Sequence, residues 1–241
     1  MQPSSLEIGM LSEHRFENQT ACLSAVQAFV LAHIQQTLAK NANASLLLSG
    51  GNSPLPLYRA LGEQALPWER LRLGLVDERW VPQSDPASNE AVIREALGAA
   101  ASARLTGMYD GASLPSESVD AMNTRYALLP RPWSLGVMGL GADGHTASLF
   151  PASDGLEQAL TTPNFCAPIT AKPSPVTGPN IHRMTLSLSA LMSIERLVLL
   201  FSGDPKWAVY SAARTTLDKQ SLPIAYLLQQ DAVPIDVFWS P

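Results

Sequence analysis

The chain is poor in residues that would staple a fold or give it a basic surface. Two cysteines, Cys22 and Cys166, stand among 241 residues. They form no C-x-x-C pair, so neither a disulfide framework nor a zinc site is indicated, and both read as buried thiols. Basic residues are scarce: 16 Lys and Arg against 21 Asp and Glu give a net charge of −5. That balance argues against nucleic acid as a partner, and any anion site must be assembled from a few converging cations. The segment Met1-Gln2-Pro3-Ser4-Ser5-Leu6-Glu7-Ile8 lacks a basic stretch followed by an apolar one. No apolar run reads as approaching membrane-spanning length, and the expectation is a cytoplasmic protein with no membrane partner. What the chain does have is hydrophobic mass, 46% of residues against 15% charged. At this length one large core is possible, and residues 1–241 read as a single α/β domain.

Periodicity sets the expected elements. Leu23, Val26, Val30, Ile34 and Leu38 recur at steps of three or four, which predicts an amphipathic helix over 20–39. Leu46–Leu48 reads as a short buried strand, with further strands at 71–76, 103–107, 134–139, 164–169, 183–188, 196–201 and 223–228. Helices are expected near 54–63, 88–98, 116–128, 145–150 and 204–214. Apolar strands alternating with helices imply a mostly parallel, Rossmann-like sheet with helices on both faces. One long irregular segment, 168–182, carries Pro168, Pro173, Pro175, Pro179 and Gly178, and is expected to form part of a pocket wall or lid.

Three apolar runs end in turns suited to binding, and in an open α/β sheet ligands bind at the carboxyl ends of strands. In Ser49-Gly50-Gly51-Asn52-Ser53-Pro54 the paired glycines allow close backbone approach. Ser53 is read as a helix cap with Pro54 at the first position, so the free N–H groups there suit a phosphate. An ordinary strand-to-helix turn would look the same in isolation. In Leu71 to Pro82, three successive charges, Asp77-Glu78-Arg79, close a very apolar strand and must face water or a polar ligand. Asp77 is placed to accept from ligand hydroxyls or to orient another side chain. Arg79 suits a carboxylate, a phosphate or a developing oxyanion. Ser88-Asn89 follows, able to cap the next helix.

The third run, Leu135 to Pro151, passes Gly139, Gly141 and Gly144 and delivers Asp143 and His145. It reads as a strand, a tight turn and the start of a helix, and a titratable pair there is a candidate for proton transfer. The same stretch matches G-x-G-x-x-G, but about 20 residues onward no Asp or Glu closes the expected strand Asn164–Thr170 to hold a ribose, so a dinucleotide site is poorly supported. Of the other histidines, His14 and His33 read as structural, and His182 as peripheral through its neighbour Arg183.

In this order, and with Arg183 and Lys206 further on, the three motifs resemble those of the 6-phosphogluconolactonases, in the larger sugar-phosphate family that includes glucosamine-6-phosphate isomerase. The resemblance covers roughly residues 45 to 210. It implies hydrolysis of 6-phosphogluconolactone to 6-phosphogluconate, in the oxidative pentose phosphate pathway, without metal or cofactor; a monomer is the separate expectation for the assembly. It further implies that Arg183 and Lys206 hold the substrate phosphate with the loop Gly50, Gly51, Asn52 and Ser53, and that Asn89 meets substrate. A phosphomonoester carries about −1.5 to −2 charges, which two or three cations plus backbone amides match.

His145 is then the general base on a water attacking the lactone carbonyl, and Arg79 or nearby N–H groups hold the oxyanion. Asp143 or Asp77 orients the imidazole or holds sugar hydroxyls, and the sequence does not rank them. Ser53 stands where Thr is common in the family. The rival within the family, an amino-sugar-phosphate isomerase, would be expected to carry a carboxylate shortly after the His, and Thr146 to Pro151 contains none. The rival from another class, a non-catalytic sugar-phosphate sensor, needs the cations but not His145.

Overall fold

Strands that are apolar at every position must be covered on both faces, and the central ones here are buried along nearly their whole length. The computed structural model describes residues 4–8, 10–102 and 104–241, the first of these segments by its backbone. The strands are β1 (Ser4–Ile8), β2 (Leu11–Arg15), β3 (Ala44–Leu48), β4 (Leu71–Leu75), β5 (Asp77–Arg79), β6 (Leu105–Thr106), β7 (Leu135–Met138), β8 (Cys166–Thr170), β9 (His182–Leu186), β10 (Leu197–Ser202) and β11 (Ile235–Ser240). The helices are α1 (Gln19–Lys40), α2 (Leu55–Gly62), α3 (Asn89–Leu97), α4 (Ala99–Ser102), α5 (Val119–Ala127), α6 (Leu156–Thr161), α7 (Leu188–Leu191), α8 (Asp204–Ala213) and α9 (Ala225–Leu228).

Eight strands form one sheet in the order β1-β2-β11-β10-β7-β3-β4-β6. All neighbours in it are parallel except β1 and β2, and the buried apolar side chains form one contiguous cluster. From β3 the chain winds outward to β4 and β6; from β7 it winds the other way to β10 and β11. The winding reverses between β3 and β7, and a crevice opens outside the carboxyl ends of such strands. β4 passes through the single residue Val76 into β5, which belongs to a second, antiparallel sheet in the order β5-β9-β8. The mostly parallel architecture agrees with expectation, but the strands expected at 164–169 and 183–188 pair in this small separate sheet.

Helix α1 is capped by Asn18, whose side chain accepts from Ala21 N at 2.9 Å, and it buries Cys22, Val26, Val30, Ile34 and Thr37. Its 22 residues are long and apolar enough to pass for a membrane span by length and composition alone, so the expectation of no such run is corrected. In the fold its buried stripe joins the common core.

Other expectations also fail. Residues 223–228 are not a strand: Leu227 N and Leu228 N both donate to Ile224 O at 3.0 Å, as part of α9. A short apolar run cannot separate strand from helix by period, and the sheet position goes instead to β11, which pairs with both β10 and β2. Residues 145–150 are not a helix. Thr146 and Leu149 bridge, and Ala147 adopts φ 48°, which breaks any helical path. Ser53 makes no capping bond. Pro54 is the cap residue of α2, and the helix begins at Leu55. Segment 168–182 contains the end of β8 and the start of β9, with a loop at 171–181 between them.

Candidate active site

The three motifs meet at the crevice, on the wall of a cavity of about 330 Å³. After β7 the chain turns on its glycines. Gly144 adopts φ +82°, Gly144 N donates to Gly141 O at 3.1 Å, and Gly141 N donates to His145 O at 2.9 Å. A Cβ on Gly141 would collide with Nδ1 of His145 and Oδ1 of Asp143, so glycine is what lets the pair fold back over the turn.

His145 Nδ1 lies 2.5 Å from Asp143 Oδ1, and the imidazole packs 4.2 Å, centroid to centroid, from the Phe150 ring. Burial acts to raise the Asp143 carboxyl. The hydrogen bond and charge of His145 outweigh it, and the net shift is downward. A carboxylate on Nδ1 places the ring proton there and leaves Nε2 as the basic nitrogen.

Asp77, at the start of β5, is held elsewhere: its Oδ2 accepts from Ser148 Oγ at 2.6 Å. Asp143 is thus the carboxylate against the imidazole, while Asp77 lines the cavity. Ser148 sits on the turn after His145, so this bond ties the β7 turn to β5. Glu78 neither faces water nor lines the cavity. Its carboxylate is fully buried and accepts from Arg79 N, Asn89 N and Glu90 N, each at 2.7 Å, and from Ser88 Oγ at 3.1 Å. Burial pushes its carboxyl up to about 7 against the pull of those backbone bonds. The expectation that all three charges face water or ligand fails here because the N-terminus of α3 supplies donors from inside the protein. Ser88 also caps α3, accepting from Ala91 N at 3.2 Å.

Arg79 and Arg183 are direct partners across the antiparallel β5–β9 pair, so their side chains leave on one face. Both line the cavity, as does Lys206 from the first turn of α8. Arg79 donates to Ala87 O at 2.7 Å; Arg183 donates to Asn180 O at 2.7 Å and to Thr177 O at 2.9 Å. Burial first, then the charge of Arg79, bring the Arg183 guanidinium down to about 10. Burial likewise lowers Lys206. Three cations and one carboxylate, Asp77, line the cavity, so its charged lining is net positive within an acidic chain.

Gly50, Gly51, Asn52 and Ser53 form the adjoining wall. Gly51 has φ +101°, and a Cβ on Gly50 would run into the side chain of Asn89, whose Nδ2 donates to Asp77 O at 3.0 Å. Asn89 therefore packs between two motif turns and lines the cavity with them. Val176 brings loop 171–181 into the wall. His182 is outside the lining; its ring Nδ1 is 3.3 Å from Thr170 Oγ1. His14 pairs with Asp236 at 3.0 Å and His33 with Ser134 O at 2.9 Å, and both cysteines are buried. A second cavity of about 360 Å³, against Asn52 and Ser53 near the start of α1, is lined by no charged side chain or histidine. Among the described residues no three His, Cys, Asp or Glu side chains group in a way that could hold a metal ion.

Sequence reading did not single out Ser148 or Phe150. Their roles depend on contacts with Asp77 and His145 that no local pattern announces.

Residues 17–239 match the family model described as glucosamine-6-phosphate isomerases/6-phosphogluconolactonase. The chain is 34% identical over 232 residues to the 6-phosphogluconolactonase of Rhizobium meliloti, covering 95% of this chain and 98% of that protein. It is 35% identical over 218 residues to the 6-phosphogluconolactonase of Pseudomonas aeruginosa, covering 89% and 88%. A crystal structure of a 6-phosphogluconolactonase from Shewanella baltica superposes with a TM-score of 0.88 at 33% identity, over 95% of this chain and 97% of that one.

Proposed function

The chain belongs to the family of glucosamine-6-phosphate isomerases and 6-phosphogluconolactonases, and on that premise we propose that it hydrolyses 6-phosphoglucono-1,5-lactone to 6-phosphogluconate. The observation that carries the reading is His145, backed by the Asp143 carboxylate, on the wall of a cavity that also presents Arg79, Arg183 and Lys206. Acyl transfer from a lactone needs a base for water, a donor for the oxyanion and an acid for the leaving oxygen. A substrate phosphate needs cations and free N–H groups.

His145 Nε2 takes a proton from water as the water oxygen bonds to the lactone carbonyl carbon. The electron pair moves to the carbonyl oxygen, where Arg79 stabilises the anion. Collapse of the tetrahedral intermediate breaks the bond to the ring oxygen, which receives the proton from the imidazolium. Asp143 keeps Nδ1 protonated and stabilises that imidazolium. Arg183, Lys206 and the Gly50–Ser53 loop bind the phosphate, and Asp77 and Asn89 meet the sugar. Every proton and charge in this scheme is handled by the chain's own groups. The isomerase alternative lacks support in the residues after His145, which carry no carboxylate through Pro151.

The test is lactone consumption with freshly generated substrate, corrected for spontaneous hydrolysis. Acceleration is expected, with no deamination of glucosamine 6-phosphate. No acceleration, or isomerase turnover, refutes the reading.

A further inference from the structure

Ser148 lies three residues past His145 and is completely buried, as is Thr185. Both of its donors go to the small antiparallel sheet: Oγ donates to Asp77 Oδ2 at 2.6 Å, and the N–H donates to Thr185 Oγ1 at 3.2 Å. Asp77 and Thr185 are direct partners in the β5–β9 pair, and Arg79 and Arg183 are partners two residues along. Side chains two residues apart on a strand leave on one face, so Ser148 docks on the same face that carries Arg79 and Arg183 into the cavity. The turn is bent to reach it. Ala147, next to Ser148, adopts φ 48°, a left-handed conformation that a residue with a Cβ keeps only where its surroundings hold it.

A tie between two turns does not need a carboxylate. Asp77 is only 6% exposed, and burying a charge costs far more than burying a neutral pair that would hold the turn as well. What a neutral pair would not supply is a charged acceptor in the cavity lining, where Asp77 stands. A carboxylate accepts at about four lone-pair sites on two oxygens, so one bond from Ser148 orients it and leaves capacity toward a ligand. We propose that Ser148 is a positioning residue: its hydroxyl fixes the Asp77 carboxylate against a hydroxyl of the sugar lactone and holds the His145 turn in register with it. The assignment rests on the lactonase reading and on Asp77 meeting the sugar. It places Ser148 in no step of the chemistry, because its proton is committed to Asp77.

The experiment is a double-mutant cycle of Ser148→Ala and Asp77→Ala, read by kcat/KM on the phosphorylated lactone and on unphosphorylated gluconolactone, by the Ki of inorganic phosphate, and by Tm. Ser148→Ala alone lowers kcat/KM by about 10- to 150-fold, the scale of one hydrogen bond to a charged group. The loss is similar on both lactones, because the sugar ring is common to them. The Ki of inorganic phosphate, which reads only the cations and the glycine loop, stays within about twofold. In the Asp77→Ala background the same substitution costs less than about twofold, since the carboxylate to be positioned is gone. Ser148→Cys keeps a weak donor of similar shape and falls between wild type and Ser148→Ala.

Unchanged kcat/KM in Ser148→Ala, even with a lower Tm, makes the hydroxyl structural only and overturns the inference while leaving the lactonase reading intact. So does a full further loss in the Asp77→Ala background, or a phosphate Ki that rises with the loss in kcat/KM, which would mean that the whole cavity has shifted. Should Ser148→Ala not fold, the cycle is run with Ser148→Cys against the same criteria. A wild-type enzyme without lactonase activity overturns both readings.

Discussion

Arg183→Ala gives the sharpest test of how the cavity divides its work. The side chain is 3% exposed, and burial together with Arg79 lowers its guanidinium only to about 10, so it remains cationic at neutral pH. A hydrogen bond to a charged partner contributes about 1.5–3 kcal/mol, or roughly 10- to 150-fold in affinity. The substitution should raise KM for the phosphorylated lactone, and the Ki of inorganic phosphate, by a factor in that range. It also removes two hydrogen bonds to the carbonyls of Thr177 and Asn180, so loop 171–181 loses part of its anchorage. That second effect disturbs the wall for any substrate. Unphosphorylated gluconolactone separates the two, because it has the reacting carbonyl but no dianion. Its kcat/KM should change by less than about threefold if the main role is ionic. Arg183→Lys should recover part of the binding, since it restores a charge but not the planar fork. Equal losses on the two lactones would refute the phosphate assignment and leave Arg183 as an anchor of the loop.

Replacing His145 with alanine should lower kcat by about 10²–10⁴ with little change in KM, measured by lactone consumption under saturating substrate; near-normal turnover would move the base elsewhere. Asp143→Asn should lower kcat as well, because an amide no longer fixes the proton on Nδ1. The same variant has a stability signature. The native Asp143 carboxyl is held below its usual 3.8, so its ionised form stabilises the fold above that value and the contribution is lost as pH falls through the depressed native value. Acid denaturation followed by circular dichroism should therefore be shallower below about pH 4 in Asp143→Asn than in wild type. Gly141→Ala should abolish most activity while leaving the fold measurable by far-UV spectra, since the added methyl collides with the Asp143 and His145 side chains rather than with the core.

Much of the site was legible in the chain because its signals are local. An apolar run ending in glycines marks a strand end and a tight turn, and Asp143 and His145 lie two residues apart, so no distant contact is needed to see them as a pair. Arg79, Gly50 and Gly51 are legible for the same reason: they sit where buried strands stop. Other features depended on partners far along the sequence. Asp77 and Asp143 looked equivalent, and only the path of the two turns puts one against Nδ1 and the other against Ser148. Glu78 looked like a ligand-facing charge until α3 brought its N–H groups to it. The adjacency of Arg79 and Arg183 follows from the β5–β9 register, and the choice of 235–240 over 223–228 as a strand follows from which segment finds two neighbours in the sheet. Residue pattern determines the period and the turns. Register and the pairing of buried polar groups arise only when separate strands and helix ends meet, and here that meeting decided which charge lines the cavity, which lies against the imidazole and which is buried.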